Sequence, residues 1–115
     1  VLYVGSLNPK EVREYMSAAD IVVVPSLVDE GYGRVAMEAI ATGTPVLASR
    51  KGGLVEAING EIGWLVEPTV NKFLRVLKAI LKDKDQIKTK KKKCRKYAIS
   101  KFSENNVETI IKSYL

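Results

Sequence analysis

The stretch "DEGYGRVAMEAIATGTPVLAS", Asp29 to Ser49, sets Glu30 and Glu38 eight positions apart around a Gly31-Tyr32-Gly33 turn. Ionised carboxylates only accept hydrogen bonds, which suits recognition of vicinal hydroxyls. Glycines at 31 and 33 let the backbone approach a ligand closely, and a helix starting near Gly33 would offer unpaired N–H groups and a positive dipole end to an anion. The turn reads as a phosphate cradle. Glu30 precedes the helix and Glu38 lies about a turn and a half inside it, so the two could bracket a ligand with an anionic centre and hydroxyls on either side. A nucleoside diphosphate sugar has that layout.

The same residues admit other readings. Glu38 could pair with Arg34 at i, i+4 on an exposed face, although Arg ahead of Glu is the poorer orientation. Val35, Ala36, Met37, Ala39, Ile40 and Ala41 make the helix apolar almost all round, which predicts a buried helix whose carboxylate needs a partner or a ligand. Gly31 to Ala36 also fits G-x-G-x-x-A, the dinucleotide fingerprint, with Arg50 placed to meet a 2′-phosphate. The loop from Ser26 to Gly31 is too long for that motif's tight turn. A glycosidase pair of carboxylates would leave the cradling turn between them without a role.

Composition narrows the chemistry further. The 115 residues suit one domain, and with no histidine and one cysteine, Cys94, zinc sites and Ser/His or Cys/His triads are excluded within the chain. Catalysis here must use carboxylates, hydroxyls, amines or backbone. A single cysteine forms no internal disulfide and fits a reducing, cytoplasmic compartment. No apolar run approaches the roughly 20 residues that a membrane-spanning helix needs. The opening "VLYV" reads as a buried strand, so the chain is expected to be a piece of something longer.

The elements that must position the two glutamates alternate. "LNPKEVREYMSAAD" has helical spacing at Val12, Tyr15, Met16 and Ala19, with Asn8 as N-cap, Pro9 at the first helical position and Glu11 completing a capping box. "IVVVP" is a β-branched run buried on both faces, as in a parallel sheet, and Pro25 ends it. "GRVAMEAIATG" is helical, with Gly43 capping its C-terminus and Pro45 preventing continuation. "PVLAS" is the next strand, followed by a turn at Gly52-Gly53, a short helical turn at "LVEAI", a strand at "GWLVE" and a helix over about Val70 to Leu81. The alternation predicts α/β architecture, a Rossmann-like doubly wound parallel sheet. Ligands in such sheets bind at the carboxyl ends of the strands, where residues 26 to 33 fall.

The C-terminal part differs in charge. Residues 1 to 69 carry 5 Lys/Arg against 9 Asp/Glu, whereas residues 70 to 115 carry 14 against 4. "LKDKDQIKTKKKKCRKYAISKF" places Ile87, Cys94 and Ala98 near one helix face and lysines nearly everywhere else, the pattern of a solvated amphipathic surface helix. Attraction to anionic lipid headgroups is a sharper alternative. Nucleic acid is disfavoured, because no aromatic residues interleave with the lysines. "SENNVETIIKSYL" reads as a final helix with Ser103 as N-cap and Val107, Ile110, Ile111 and Tyr114 on one side.

Taken together, "ADIVVVPSLVDEGYGRVAMEAIATGTPVLASRKGGLVEAINGEIGWLVEP" resembles the C-terminal lobe of group 1 glycosyltransferases, the retaining family with the GT-B fold. Its hallmark E-x7-E is met by Glu30 and Glu38, joined to a Pro-Ser strand end, an aromatic-Gly step at Tyr32-Gly33, "EA", "G-x-PV" and a later Gly-Gly with Glu56. The resemblance implies a partial nucleotide-sugar-binding lobe over residues 1–99, with 100–115 as the C-terminal helix of the same lobe and the N-terminal acceptor lobe absent. It implies that Glu30, the catalytic residue, contacts donor-sugar hydroxyls and that Glu38 binds ribose hydroxyls. Backbone amides of Gly31, Tyr32, Gly33, Arg34 and Val35 would hold the sugar and distal phosphate, and the loop at Leu7 would face the base. The complete enzyme would move a hexosyl group from a nucleoside diphosphate sugar to a sugar, lipid or glycan acceptor with retention, in polysaccharide or glycolipid synthesis. No metal or other cofactor is implied.

Two features depart from the family pattern. The phosphate-binding Arg and Lys of the donor lobe's first half have no counterpart in these residues, so the chain alone is expected to be inactive. The aromatic that often follows "FS" is Glu104, which touches the docking of the last helix. The reading from another class is a non-catalytic α/β nucleotide-binding or interaction module.

Overall fold

The computed structural model describes residues 2–27 and 33–101. Helix α1, Pro9–Ala18, begins with the expected capping box: Glu11 N donates to Asn8 Oδ1 at 2.9 Å, and Asn8 N donates to Glu11 Oε1 at 3.1 Å. Strand β1 is Val22–Val24, and after it helix α2, Arg34–Ala41, runs back to strand β2, Val46–Ser49. The short helix α3, Gly53–Ala57, leads to strand β3, Gly63–Val66, then to helices α4, Val70–Lys82, and α5, Asp85–Lys101.

The three strands form one parallel sheet in the order β1-β2-β3, with Val22 beside Val46 and Val46 beside Gly63. Between two neighbours, β2 is buried at all four positions, which is why "VLAS" lacks a polar face. Gly63 is required there, since a Cβ would run into the Val46 carbonyl oxygen. One face of the sheet packs Val24, Val46 and Ala48 against Met16 of α1, Ala36, Ala39 and Ile40 of α2, Leu54 of α3 and Cys94 of α5. The other packs Leu47 and Val66 against Ile80 of α4 and Ile87 at the start of α5. Helices therefore cover both faces, as expected for a doubly wound sheet.

Local signals at the helix ends also hold. Gly43 takes φ 90° and donates to Ile40 O, ending α2, and Thr44 Oγ1 donates to Met16 O at 2.6 Å, tying that turn to α1. Thr69 caps α4 by accepting from Lys72 N at 3.2 Å.

Four expectations need correction. Strand β1 is not buried on both faces: it lies at the edge of the described sheet, and Val23 is 44% exposed while Val24 is buried. Of "VLYV", the described residues Leu2 to Val4 form no strand: Leu2 and Tyr3 are 83% and 91% exposed, and a strand needs a neighbour's N–H and C=O groups, which no described segment offers them. Helix α2 is not buried all round, because Val35 stands 45% exposed beside the rim of the sheet while Ala36, Ala39, Ile40 and Ala41 are buried. On α5, Ile87 and Cys94 are buried as expected, but Lys90 is not a solvated lysine. It lies over the Trp64 ring, 4.8 Å from its centroid, and donates to the Gly60 carbonyl. The side chain of Ala98 and the final helix expected from Ser103 lie outside the described residues.

Candidate functional site

All three strands are parallel, so their carboxyl ends meet on one rim: Pro25 after β1, Arg50 after β2 and Glu67 after β3. Helix α2 starts on that rim. Its N-cap is Gly33 with φ 58° and ψ 47°, a left-handed conformation, and a Cβ there would meet Leu54 Cδ2 at 2.8 Å. Both facts demand glycine. A glycine also has no side chain with which to cap the first turn, and among the described residues no side-chain hydrogen bond closes it. The helix thus begins with backbone donors and its positive dipole end directed at the rim.

Glu38 sits one turn farther along. Its side chain is 12% exposed, and its Oε1 accepts from Arg34 Nε at 3.3 Å, while the Arg34 side chain is 81% exposed. The expected need for a partner and the exposed i, i+4 pairing are thus both found. An open pair of this kind contributes at most about 0.5 kcal/mol, so it steers the carboxylate more than it stabilises the helix. Only one carboxylate oxygen is engaged by Arg34, and an ionised carboxyl has further acceptor capacity on the other.

The structure brings Gly33, Arg34, Val35 and Glu38 together on the first turns of α2. Leu7 is half-buried ahead of α1, and among the described residues no hydrogen bond or core cluster joins it to α2. Glu30, Gly31 and Tyr32 lie outside the described residues.

The rim also holds Arg50 and Ser49, at the end of β2. Arg50 Nε approaches Glu67 Oε1 at 3.8 Å and Arg50 Nη2 reaches Leu65 O at 3.5 Å, so the arginine considered for a 2′-phosphate instead spans the ends of β2 and β3. Ser49, fully buried at the end of β2, has a hydroxyl without a hydrogen-bond partner among the described residues. Its alternation with Leu47 could have placed it on the α4 face, but nothing local signals an unsatisfied hydroxyl. On the same face, an apolar cavity of about 360 Å³ opens between Val23, Leu47, Val70, Phe73 and Leu77.

Away from the rim, burial pushes the Cys94 thiol up to about 12, the nearby Lys90 and Lys91 charges opposing only part of that rise. Its Sγ lies 3.7 Å from Ile62 O. Burial also lowers Lys90 from the ordinary lysine range and raises Tyr97. A neutral, enclosed thiol is a packing group, not a nucleophile.

Known proteins resemble this chain in sequence and fold. The family model described as glycosyl transferases group 1 matches residues 1–101. The chain is 36% identical over 106 residues to lipopolysaccharide 1,2-N-acetylglucosaminetransferase of Salmonella typhimurium, covering 90% of this chain and 28% of that protein. It is 52% identical over 68 residues to D-inositol 3-phosphate glycosyltransferase of Corynebacterium diphtheriae, covering 58% of this chain and 16% of that protein. Sucrose-phosphate synthase from Thermosynechococcus elongatus superposes with a TM-score of 0.83 at 37% identity, over 95% of this chain and 28% of its own. Anabaena HepE, solved in complex with UDP, gives 0.74 at 28% identity over 86% of this chain and 27% of its own. The chain therefore spans little more than a quarter of the length of the Salmonella transferase and of the sucrose-phosphate synthase. Sequence pattern, parallel sheet and superposition agree that the chain belongs to the group 1 glycosyltransferases, as part of a GT-B lobe.

Proposed function

We propose that this chain supplies part of the donor site of a retaining glycosyltransferase, which moves a hexosyl unit from a nucleoside diphosphate sugar to a sugar, lipid or glycan acceptor. The observation that carries the reading is the start of α2: a left-handed glycine offers no side-chain cap to the first amides at the carboxyl rim, about one turn from a sheltered carboxylate. The neighbouring HepE structures with UDP and with UDP-glucose support the same ligand class.

In this reading the distal phosphate rests on the amides that open α2, where the helix dipole favours negative charge. As the bond from the anomeric carbon to that phosphate breaks, charge grows on the phosphate oxygen. Fixed amides already aimed at it stabilise that charge without reorganising, and no metal ion is required. The backbone of Gly33, Arg34 and Val35 does this work, joined by Gly31 and Tyr32. Glu38 accepts from ribose hydroxyls through the oxygen that Arg34 leaves open, Glu30 acts on the sugar hydroxyls, and Leu7 faces the base. The remaining positive charge for the diphosphate comes from elsewhere in the complete enzyme.

Calorimetric titration of the full-length protein with UDP-glucose, GDP-mannose and UDP-N-acetylglucosamine tests this reading. One donor is expected to bind, and Glu38→Ala to weaken it by about tenfold or more, since a hydrogen bond to a charged group contributes about 1.5–3 kcal/mol. Failure of the intact, folded protein to bind any nucleotide sugar would overturn it.

A further inference from the structure

Helix α5 carries a feature that donor binding does not use. Its inner side is anchored at several points: Ile87 lies in one core cluster and Cys94 in the other. Trp64 Nε1 donates to Gln86 Oε1 at 3.1 Å, Lys90 covers the Trp64 ring, and Lys91 Nζ stands 3.8 Å from Asp20 Oδ1. These contacts fix the rotation of the helix about its axis. What then faces outward is Lys88, Lys92, Lys93, Arg95 and Lys96, all exposed and none in an ion pair among the described residues.

Lys88, Lys92 and Lys96 follow one another at i, i+4, a spacing at which like charges repel and destabilise a helix. A mixture of signs would keep the surface soluble without that cost. Among the described residues, the acids set against α5 lie on its flanks, Asp20 at Lys91 and Glu61 near Tyr97, and leave the outer strip uncompensated. Asp85 shares the outer side only at the helix's first turn, where the dipole favours an acid. The strip runs for about 12 Å at 1.5 Å per residue, longer than the Debye length of about 8 Å at physiological salt.

From this geometry we infer that the outer face of α5 is a docking surface for an anionic lipid bilayer. The chemistry of the strip selects that occupant. It is almost all lysine, a compact and strongly hydrated point charge, where a site for one fixed phosphate would favour the bidentate fork of arginine. It has no aromatic platform for stacking bases. Its apolar side is already committed to the core, so attachment is electrostatic, without insertion, and reversible by salt.

Sedimentation of the full-length protein with vesicles tests the inference. Binding is expected to vesicles of phosphatidylcholine mixed with phosphatidylglycerol, not to phosphatidylcholine alone, and to fall steeply with added salt. Each of Lys88→Gln, Lys92→Gln and Lys96→Gln is expected to weaken it about fivefold. The triple charge reversal to Glu should abolish it, with circular dichroism and nucleotide-sugar binding unchanged. Because these side chains are exposed, the Gln variants remain informative if the reversal disturbs folding. Anionic vesicles bound equally by wild type and the Gln variants, or not bound at all, would overturn the inference. So would a single-stranded RNA homopolymer that displaces the vesicles and binds more tightly through the same lysines. Donor binding is read separately in every case, so failure here leaves the donor site standing.

Discussion

Gly33 and Cys94 show how far one side chain can matter in opposite ways. At Gly33 the absence of a side chain is what the fold requires: the left-handed backbone and the nearby Leu54 Cδ2 both exclude a Cβ. Gly33→Ala is expected to lower unfolding free energy by about 1–2 kcal/mol, read in urea titrations. It should also weaken UDP-glucose binding, because the new methyl sits beside the first amides of α2. Cys94 is the reverse, a group defined by what encloses it. Burial raises its thiol from an ordinary 9.0 to about 12. The unfolded chain therefore loses this proton near pH 9, while the folded chain keeps it until about pH 12. The stability contributed by the raised value is fully present below pH 9 and is lost as pH rises through that window. Cys94→Ala is expected to lack this part of the slope in urea midpoints measured from pH 8 upward. A slope identical to wild type would show that the thiol is not the group responsible. Arg34 is a quiet counterexample: replacing so exposed a partner of Glu38 should move stability by less than about 0.5 kcal/mol.

At the scale of elements, the parts legible in the sequence are those where local and tertiary demands coincide. "IVVVP", "PVLAS" and "GWLVE" were readable as strands because β-branched and apolar runs are both good strand formers and suited to a sheet covered on two faces. Asn8-Pro9 with Glu11, and Gly43 with Pro45, announced helix ends through chemistry confined to a few neighbours. "VLYV" has the same composition as the true strands, yet strand formation depends on a partner, and composition does not say whether one is present. The exposure of Val35 and the inward turn of Lys90 were hidden for the same reason: each depends on where the sheet's rim and Trp64 fall in space. For the site, the motif placed Gly33 at the start of α2 and Glu38 inside it, whereas the Ser49 hydroxyl, without a partner among the described residues, and the Arg50–Glu67 bridge arise only from strand ends brought together. The connection between elements can be tested at Thr44, whose buried hydroxyl holds the turn after α2 to the last turn of α1. Thr44→Val keeps the shape and removes the donor, and is expected to cost about 1 kcal/mol in a urea titration. Met16 O retains a weaker bond from Ala19 N at 3.3 Å, which limits the loss.

Over the whole molecule, polar and apolar surfaces are unevenly placed. Val23, Leu27, Val70 and Leu74 are exposed around the cavity on the α4 face, and Leu2 and Tyr3 are exposed ahead of α1. Exposed apolar patches of this kind bind dyes and other chains. A polypeptide of residues 1–115 prepared by itself is expected to enhance anilinonaphthalene sulfonate fluorescence and to self-associate in light scattering. Val23→Lys and Leu74→Lys together should reduce both. A monomer that ignores the dye would refute this.

The order of the strands has a further consequence, for the time course of folding. Because β1, β2 and β3 lie side by side in the order in which they are made, each pairing closes a single crossover, and all three strands can pair before α5 is made. Helix α5 is different. Its anchors, Asp20, Ile62, Trp64 and the buried face of α2, all come earlier in the chain, and Asp20 lies far back. The sheet can therefore assemble as the polypeptide emerges, and α5 latches onto it afterwards. A latch that closes last is also the first to open, so amides of α5 should exchange with solvent sooner than those of β2.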